Sequence, residues 1–272
     1  MRLKDKVAIV TGGGGGLGQG ICLRLAQEGA NVVVSDINLD LAQKTVQAIE
    51  ETGQKAVAVQ ADVRSKADCT KSVNTAIEAM GRLDILVCGA GVGGFDAQGD
   101  TGEPAILENI SEAEWDLTMD VNLKGVFLCN QAAAPHFKNQ QSGKIINISS
   151  IGGRKGVDFI PHYCASKSGV LLFSQAVALQ LAPFNINVNC ICPGVIWTEM
   201  WRKGAQALSH TIPDFKGMDL DTIFGAMVEQ MIPMKRPQTP ADIGNAVVFL
   251  ASSEADQITG QALNVCGGAA MN

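Results

Sequence analysis

Short apolar runs alternate with longer amphipathic stretches along almost the whole chain. Residues 6–11 (K-V-A-I-V-T) are a β-rich run, the pattern of a strand buried on both faces. Five glycines follow, Gly12 to Gly16, and then Leu17 and Gly18. Apolar positions at Leu17, Ile21, Cys22, Leu25 and Ala26 have helical spacing, and Gly29 stops that helix. Further strands are predicted at 31–35 (ending at Asp36), 56–60 (ending at Asp62), 83–88, 143–148, 186–191 and 261–265. Helices are predicted at 39–52, 66–80, from Ser111 through Trp115, from Asn122 to His136 with Pro135 near its end, at 161–181 and at 239–252. Ser111 and Glu114 have the spacing of a capping box, and Thr239 caps a helix with Pro240 at its first position. Strand and helix alternating every ~25–30 residues call for a parallel sheet with right-handed crossovers.

Two stretches depart from this alternation. Residues 89–109 form a long loop rich in glycine and acid, of a length that marks function or mobility. Residues 196–232 read as irregular or weakly helical, rich in Met, Trp and Phe. No repeat, low-complexity tract or linker interrupts the chain, so one domain over 1–272 is expected.

Composition narrows the partners. The chain has 272 residues, 46% of them hydrophobic, and a net charge of −6. Its pI near 5.1 argues against nucleic acid or an anionic membrane surface as the main partner. No apolar run approaches the ~20 residues of a membrane span, and the charged start lacks a signal sequence, so a cytoplasmic protein is expected. Several of the eight cysteines (Cys22, Cys129, Cys190, Cys192) sit in apolar runs, as reduced thiols do. His136, His162 and His210 are spread apart, and no metal site is expected.

The glycine turn between the first strand and helix has the chemistry of a diphosphate cradle, with backbone N–H groups and a helix N-terminus turned to the anion. Its register is ambiguous: Gly13-x-Gly15-x-x-Gly18 and Gly12-x-x-x-Gly16-x-Gly18 both match dinucleotide patterns. No G-K-[ST] follows, which disfavours a nucleotide-hydrolysing loop. Asp36 stands where a carboxylate accepts adenosine ribose hydroxyls and repels a 2′-phosphate. No Lys or Arg lies between Thr11 and Gln19 or at 37–38, so NAD is favoured over NADP. Asp62 and Val63 fall at the same sheet edge, where adenine would lie, though Asp62 also suits a helix cap near Ser65.

Residues 150–167 carry the candidate chemistry. Tyr163 is the only tyrosine, Lys167 follows it at helical i+4 spacing, and Ser150 precedes it by 13 residues at a strand end. An ammonium ~4 Å from a phenol is worth roughly 4 kcal/mol at an effective dielectric of ~20. At about 1.4 kcal/mol per unit, that lowers a phenol near ~10 by up to ~3 units. Taken alone, the motif more often marks a buried tyrosine and a surface lysine.

Together these residues resemble the short-chain dehydrogenase/reductase family. The likeness rests on T-G-G-G-G-G-L-G at 11–18, Asp36, Asp62-Val63, Ala90-Gly91, Asn122, Ser150, Tyr163-x-x-x-Lys167, Pro193-Gly194 and Thr198. It selects Gly12, Gly16 and Gly18 as the phosphate-turn glycines. It implies a doubly wound Rossmann-type sheet of about seven strands, order 3-2-1-4-5-6-7, with helices on both faces. The implied activity is hydride transfer to or from NAD. In it Tyr163 is the acid/base, Lys167 lowers its pKa and holds the nicotinamide ribose, and Ser150 bonds the substrate oxygen. Asn122 holds a water linking Lys167 to solvent. Leu17, Ile37, Cys88, Ala90 and Gly91 join the cofactor contacts, and Pro193, Gly194, Ile196 and Thr198 meet the nicotinamide. Two places depart from the pattern: Cys88-Gly89 replaces a pair of asparagines, and Cys266 replaces an aspartate before Gly267-Gly268.

Residues 193–201 and 153–167 are similar to polyol, diol and secondary-alcohol dehydrogenases of that family. A secondary alcohol or ketone, including a hydroxy acid, is the expected small-molecule substrate. Reduction of a 3-oxoacyl thioester and a non-catalytic NAD-binding sensor or partner subunit are the alternatives. Trp197, Met200, Trp201 and residues 209–231 are expected to form a lid within about 196–232, with Trp197 equally suited to the core. Arg154 and Lys155 could meet an anionic substrate or lie solvated at the surface. The family likeness also implies a homo-oligomer, tetramer or dimer, paired through helices 111–136 and 161–181.

Overall fold

In the computed structural model, residues 1–94 and 107–272 are described. Part of the expected 89–109 loop, residues 95–106, lies outside them. Seven parallel strands form one sheet in the order β3-β2-β1-β4-β5-β6-β7. They are β1 (Val7–Thr11), β2 (Asn31–Asp36), β3 (Ala56–Gln60), β4 (Ile85–Cys88), β5 (Gly143–Ile148), β6 (Ile186–Pro193) and β7 (Ala262–Val265). Every residue of β1 is buried. Its side chains alternate: Ala8 and Val10 enter one apolar cluster, Val7 and Ile9 the other.

Helices α1 (Gly16–Gln27), α2 (Leu39–Glu50) and α9 (Pro240–Ala251) cover the first face with Ile21, Leu25, Ile49 and Val247. Helices α3 (Lys66–Met80), α5 (Gly125–Gln140) and α6 (Pro161–Leu181) cover the second with Val73, Phe137 and Val170. Strand order reverses between β1 and β4, so a crevice opens beyond their carboxyl ends.

Three local structures differ from the sequence reading. Residues 196–232 are not irregular: they hold α7 (Glu199–Thr211) and α8 (Leu220–Met231). Their apolar positions serve two small clusters of their own, apart from the sheet. Helix α4 (Glu112–Met119) runs into α5 through a π-helical turn, Asp120–Lys124, which carries Asn122. Pro135 does not sit at the end of α5, which continues to Gln140. The Ser111 side chain accepts from the Glu114 N–H as expected, while Glu114 itself is buried and its Oε1 accepts from Thr118 Oγ1.

Candidate active site

The carboxyl ends of the strands open into a cavity of about 550 Å³. Its first wall is the glycine turn. Gly12 has φ +66°, and a Cβ there would lie 2.8 Å from the Ala90 Cα, so the turn after β1 packs directly on the chain leaving β4. A Cβ on Gly18 would lie 1.9 Å from the Gly12 carbonyl oxygen. These contacts leave Gly12, Gly16, Leu17 and Gly18 on the cavity wall at the N-terminus of α1. Helix N–H groups there can take an anion.

The second wall follows β2 and β3. Half-buried Asp36 accepts from the Gly14 N–H at 2.8 Å and from the Asn38 N–H at 2.9 Å. Ile37 lies exposed at the rim beside it. Asp62 and Val63 line the same end. Asp62 does not cap α3, whose cap is Ser65. Its carboxylate instead takes a bidentate pair from Arg64, whose Nη2 lies at 2.6 Å and whose side-chain hydrogen bonds hold the carboxyl below its usual range. Arg64 also lines the cavity, a cation the sequence reading did not single out.

Ser150, Tyr163 and Lys167 converge on the third wall, with Pro193, Gly194, Ile196 and Thr198 nearby. Ser150 ends the chain leaving β5, and α6 brings Tyr163 and Lys167 on successive turns. Ser150 and Tyr163 line the same wall, and the Ser150 hydroxyl accepts from the Gly152 N–H at 3.0 Å. Lys167 is 4% exposed, donates to the Ile148 carbonyl at 3.1 Å and sits 5.8 Å from the Tyr163 ring centre. Ser149 is structural: its hydroxyl donates to the Lys167 carbonyl at 2.8 Å. Thr198 faces the glycine turn, 3.5 Å from where a Gly16 Cβ would stand.

The electrostatics reverse one expectation. The phenol of Tyr163 is not lowered: burial pushes it up to about 12 and outweighs the lowering influence of nearby Ser150. Burial also brings Lys167 down to about 8. Desolvation is the largest cause of both shifts, and i+4 spacing cannot reveal it.

Five other side chains lie outside the cavity lining. Cys88 does not reach the cavity: its side chain is buried and accepts from Asn130 Nδ2 at 3.4 Å. Here Thr11 Oγ1 takes the N–H groups of Gly89 and Ala90, so the turn after β4 is held without side-chain amides. Asn122 also lies behind the wall. Its Nδ2 donates to the Val92 carbonyl and Ser166 Oγ, and its Oδ1 accepts from the Val92 N–H. Both amide hydrogens are used, so a water could meet that side chain only as a donor to Oδ1. Arg154 and Lys155 do not line the cavity: half-buried Arg154 donates to the Ala262 carbonyl, and Lys155, exposed at the surface, donates to that of Ala269. Cys266 likewise serves the C-terminal tail, through the N–H and carbonyl of Ala270.

A twisted parallel sheet with a glycine turn and a strand-end carboxylate at its switch point defines a dinucleotide-binding Rossmann-type protein. The family model described as short chain dehydrogenase matches residues 6–208. The chain belongs to the short-chain dehydrogenase family. It is 40% identical over 265 residues to the (S)-acetoin-forming diacetyl reductase of Staphylococcus epidermidis, covering 97% of this chain and 98% of that one. It is 36% identical over 272 residues to the (2S)-[(R)-hydroxy(phenyl)methyl]succinyl-CoA dehydrogenase subunit BbsD of Thauera aromatica, with 98% of each covered. Among solved structures, carveol dehydrogenase from Mycobacterium avium in complex with NAD superposes with a TM-score of 0.90 at 33% identity, over 98% of each chain.

Proposed function

We propose that this chain is an NAD-dependent oxidoreductase that interconverts a secondary alcohol and a ketone. The observation that carries the reading is the meeting of Ser150, Tyr163 and Lys167 on one wall of the cavity that also holds the glycine turn and Asp36. The donor set suits NAD. The N-terminus of α1 opens to the cavity for a diphosphate, and the Asp36 carboxylate disfavours a 2′-phosphate. Arg64, the cation at that end, is already held by Asp62.

Bound nicotinamide would supply the hydride acceptor or donor. Tyr163 gives its phenolic proton to the ketone oxygen in reduction, and its phenolate takes that proton back in oxidation. Ser150 holds the same oxygen, and Lys167 offers the cation that stabilises the phenolate. Asn122 anchors the Val92 backbone behind Lys167 and positions rather than touches. Helices α7 and α8 act as the lid, with Met200, Trp201 and Met231 on the cavity side. Trp197 belongs to the apolar cluster behind them. Exposed Phe127 on α5 and Leu172 and Leu179 on α6 support a homo-oligomer built on those helices. Eight free, buried thiols support a cytoplasmic home.

The test is NADH formation from a panel of secondary alcohols near pH 9, with Tyr163→Phe alongside. The variant is expected to keep NADH binding and lose turnover by about 10²–10⁴-fold. Cofactor binding with no turnover on any alcohol would favour the sensor reading.

A further inference from the structure

The substrate end of the cavity is apolar, and its few charges are placed elsewhere. Val157 and Phe159 approach from the segment before α6, Met200, Trp201 and Leu208 from α7, and Met231 from α8. Trp201 is braced from behind by the Phe224 ring, 5.8 Å between centres at 74°. Helix α7 carries three basic residues, Arg202, Lys203 and His210, and all three are exposed. The Arg202 guanidinium stacks on Trp197 at 4.7 Å, outside the lining. So the helix that supplies most of the lid turns Glu199, Met200, Trp201 and Leu208 to the cavity and keeps Arg202, Lys203 and His210 out of its lining.

The remaining charged groups that line the described part of the cavity are Asp36, Asp62, Arg64, Lys167 and Glu199. Arg64 follows β3 and Ser150 follows β5, four strand positions apart in the sheet. At about 4.8 Å per position that is roughly 19 Å, too far to serve a group beside Ser150. Lys167 points its ammonium at the Ile148 carbonyl. Glu199 would repel a carboxylate rather than bind it. Residues 95–106, which follow the lining residue Gly93, contain no Lys, Arg or His and three acids. A buried anionic substituent would therefore find no partner, and such burial is strongly disfavoured.

We infer that the substrate is an uncharged, predominantly apolar ketone or secondary alcohol whose polar contacts are confined to the reacting oxygen. This rests on the oxidoreductase reading and sharpens it: hydroxy acids, polyols and acidic acyl thioesters are excluded as preferred substrates. Trp201 and Met200 set that preference, one as a braced aromatic wall and the other as a flexible apolar filler.

The experiment compares NADH-dependent reduction of 4-methylcyclohexanone, 4-hydroxycyclohexanone and 4-oxocyclohexanecarboxylate, with acetoacetyl-CoA as a fourth arm, by wild type and by Met200→Arg. Wild type is expected to favour the methyl ketone over the carboxylate by about 100-fold or more in kcat/KM. Met200→Arg is expected to narrow that gap by about 10-fold or more, because it brings a guanidinium to the lid. Equal or faster turnover of the carboxylate, the hydroxyketone or the thioester by wild type overturns the inference and leaves the oxidoreductase reading intact. No turnover of any ketone, with NADH bound, overturns both.

Discussion

Replacing Lys167 with methionine should make the cofactor-free protein more stable at neutral pH, although it removes a residue proposed for catalysis. Burial brings the ammonium from 10.5 to about 8. That is a shift of ~2.5 units, and at about 1.4 kcal/mol per unit it corresponds to roughly 3 kcal/mol of unfavourable burial of charge. Methionine loses the hydrogen bond to the Ile148 carbonyl at 3.1 Å, which costs about 1 kcal/mol. The net expectation at pH 7 is a gain of about 2 kcal/mol. The sign depends on pH. The native pKa lies below the unfolded one, so between about 8 and 10.5 the unfolded chain binds more protons. Wild-type stability therefore gains from this group as pH rises through that window, and the advantage of Lys167→Met fades. Near pH 10.5 only the lost hydrogen bond remains, and the variant should be the less stable by about 1 kcal/mol. Urea unfolding of both proteins without cofactor at pH 7 and pH 10.5 measures the difference. A stability difference that is the same at both pH values refutes the reasoning, as does a variant less stable at pH 7.

Three shorter predictions follow from the same geometry. Because Tyr163 is the only tyrosine, absorbance near 295 nm titrates a single phenol; in the cofactor-free protein no tyrosinate should form by pH 10, and a midpoint at or below that value would contradict a phenol raised to about 12. Asp36→Asn removes the charge facing the ribose while leaving an acceptor for the Gly14 N–H, so the preference for NADH over NADPH in kcat/KM should fall by about 10-fold or more; an unchanged ratio would assign the preference elsewhere. Thr239→Ala breaks the reciprocal cap with Asp242 at the start of α9 and should cost about 1–2 kcal/mol in urea unfolding, with KM for NADH unaffected.

Several features were legible because they depend on local periodicity and turn chemistry. The β1 run, the glycine turn, Asp36 at the end of β2 and the β3 and α3 boundaries fall where the pattern put them. So does the i+4 pair on α6, since a regular helix fixes which residues share a face. The order of seven strands came from the family likeness, and the sheet has that order.

What only the tertiary structure decided are quantities set by neighbours distant in sequence. Helices α7 and α8 read as irregular or weakly helical, and only the packed molecule shows that their apolar residues build two clusters of their own away from the sheet. Arg154 and Lys155 look free until β7 and the C-terminal tail supply carbonyls about a hundred residues away. Cys88 lies next to cavity residues in the chain, yet strand alternation turns its thiol to Asn130. Most consequentially, the spacing of Tyr163 and Lys167 implies attraction, but how much water each loses depends on the whole wall around them. That loss raises the phenol and lowers the ammonium. Spacing along a helix is a property of the chain, whereas solvation belongs to the packed molecule.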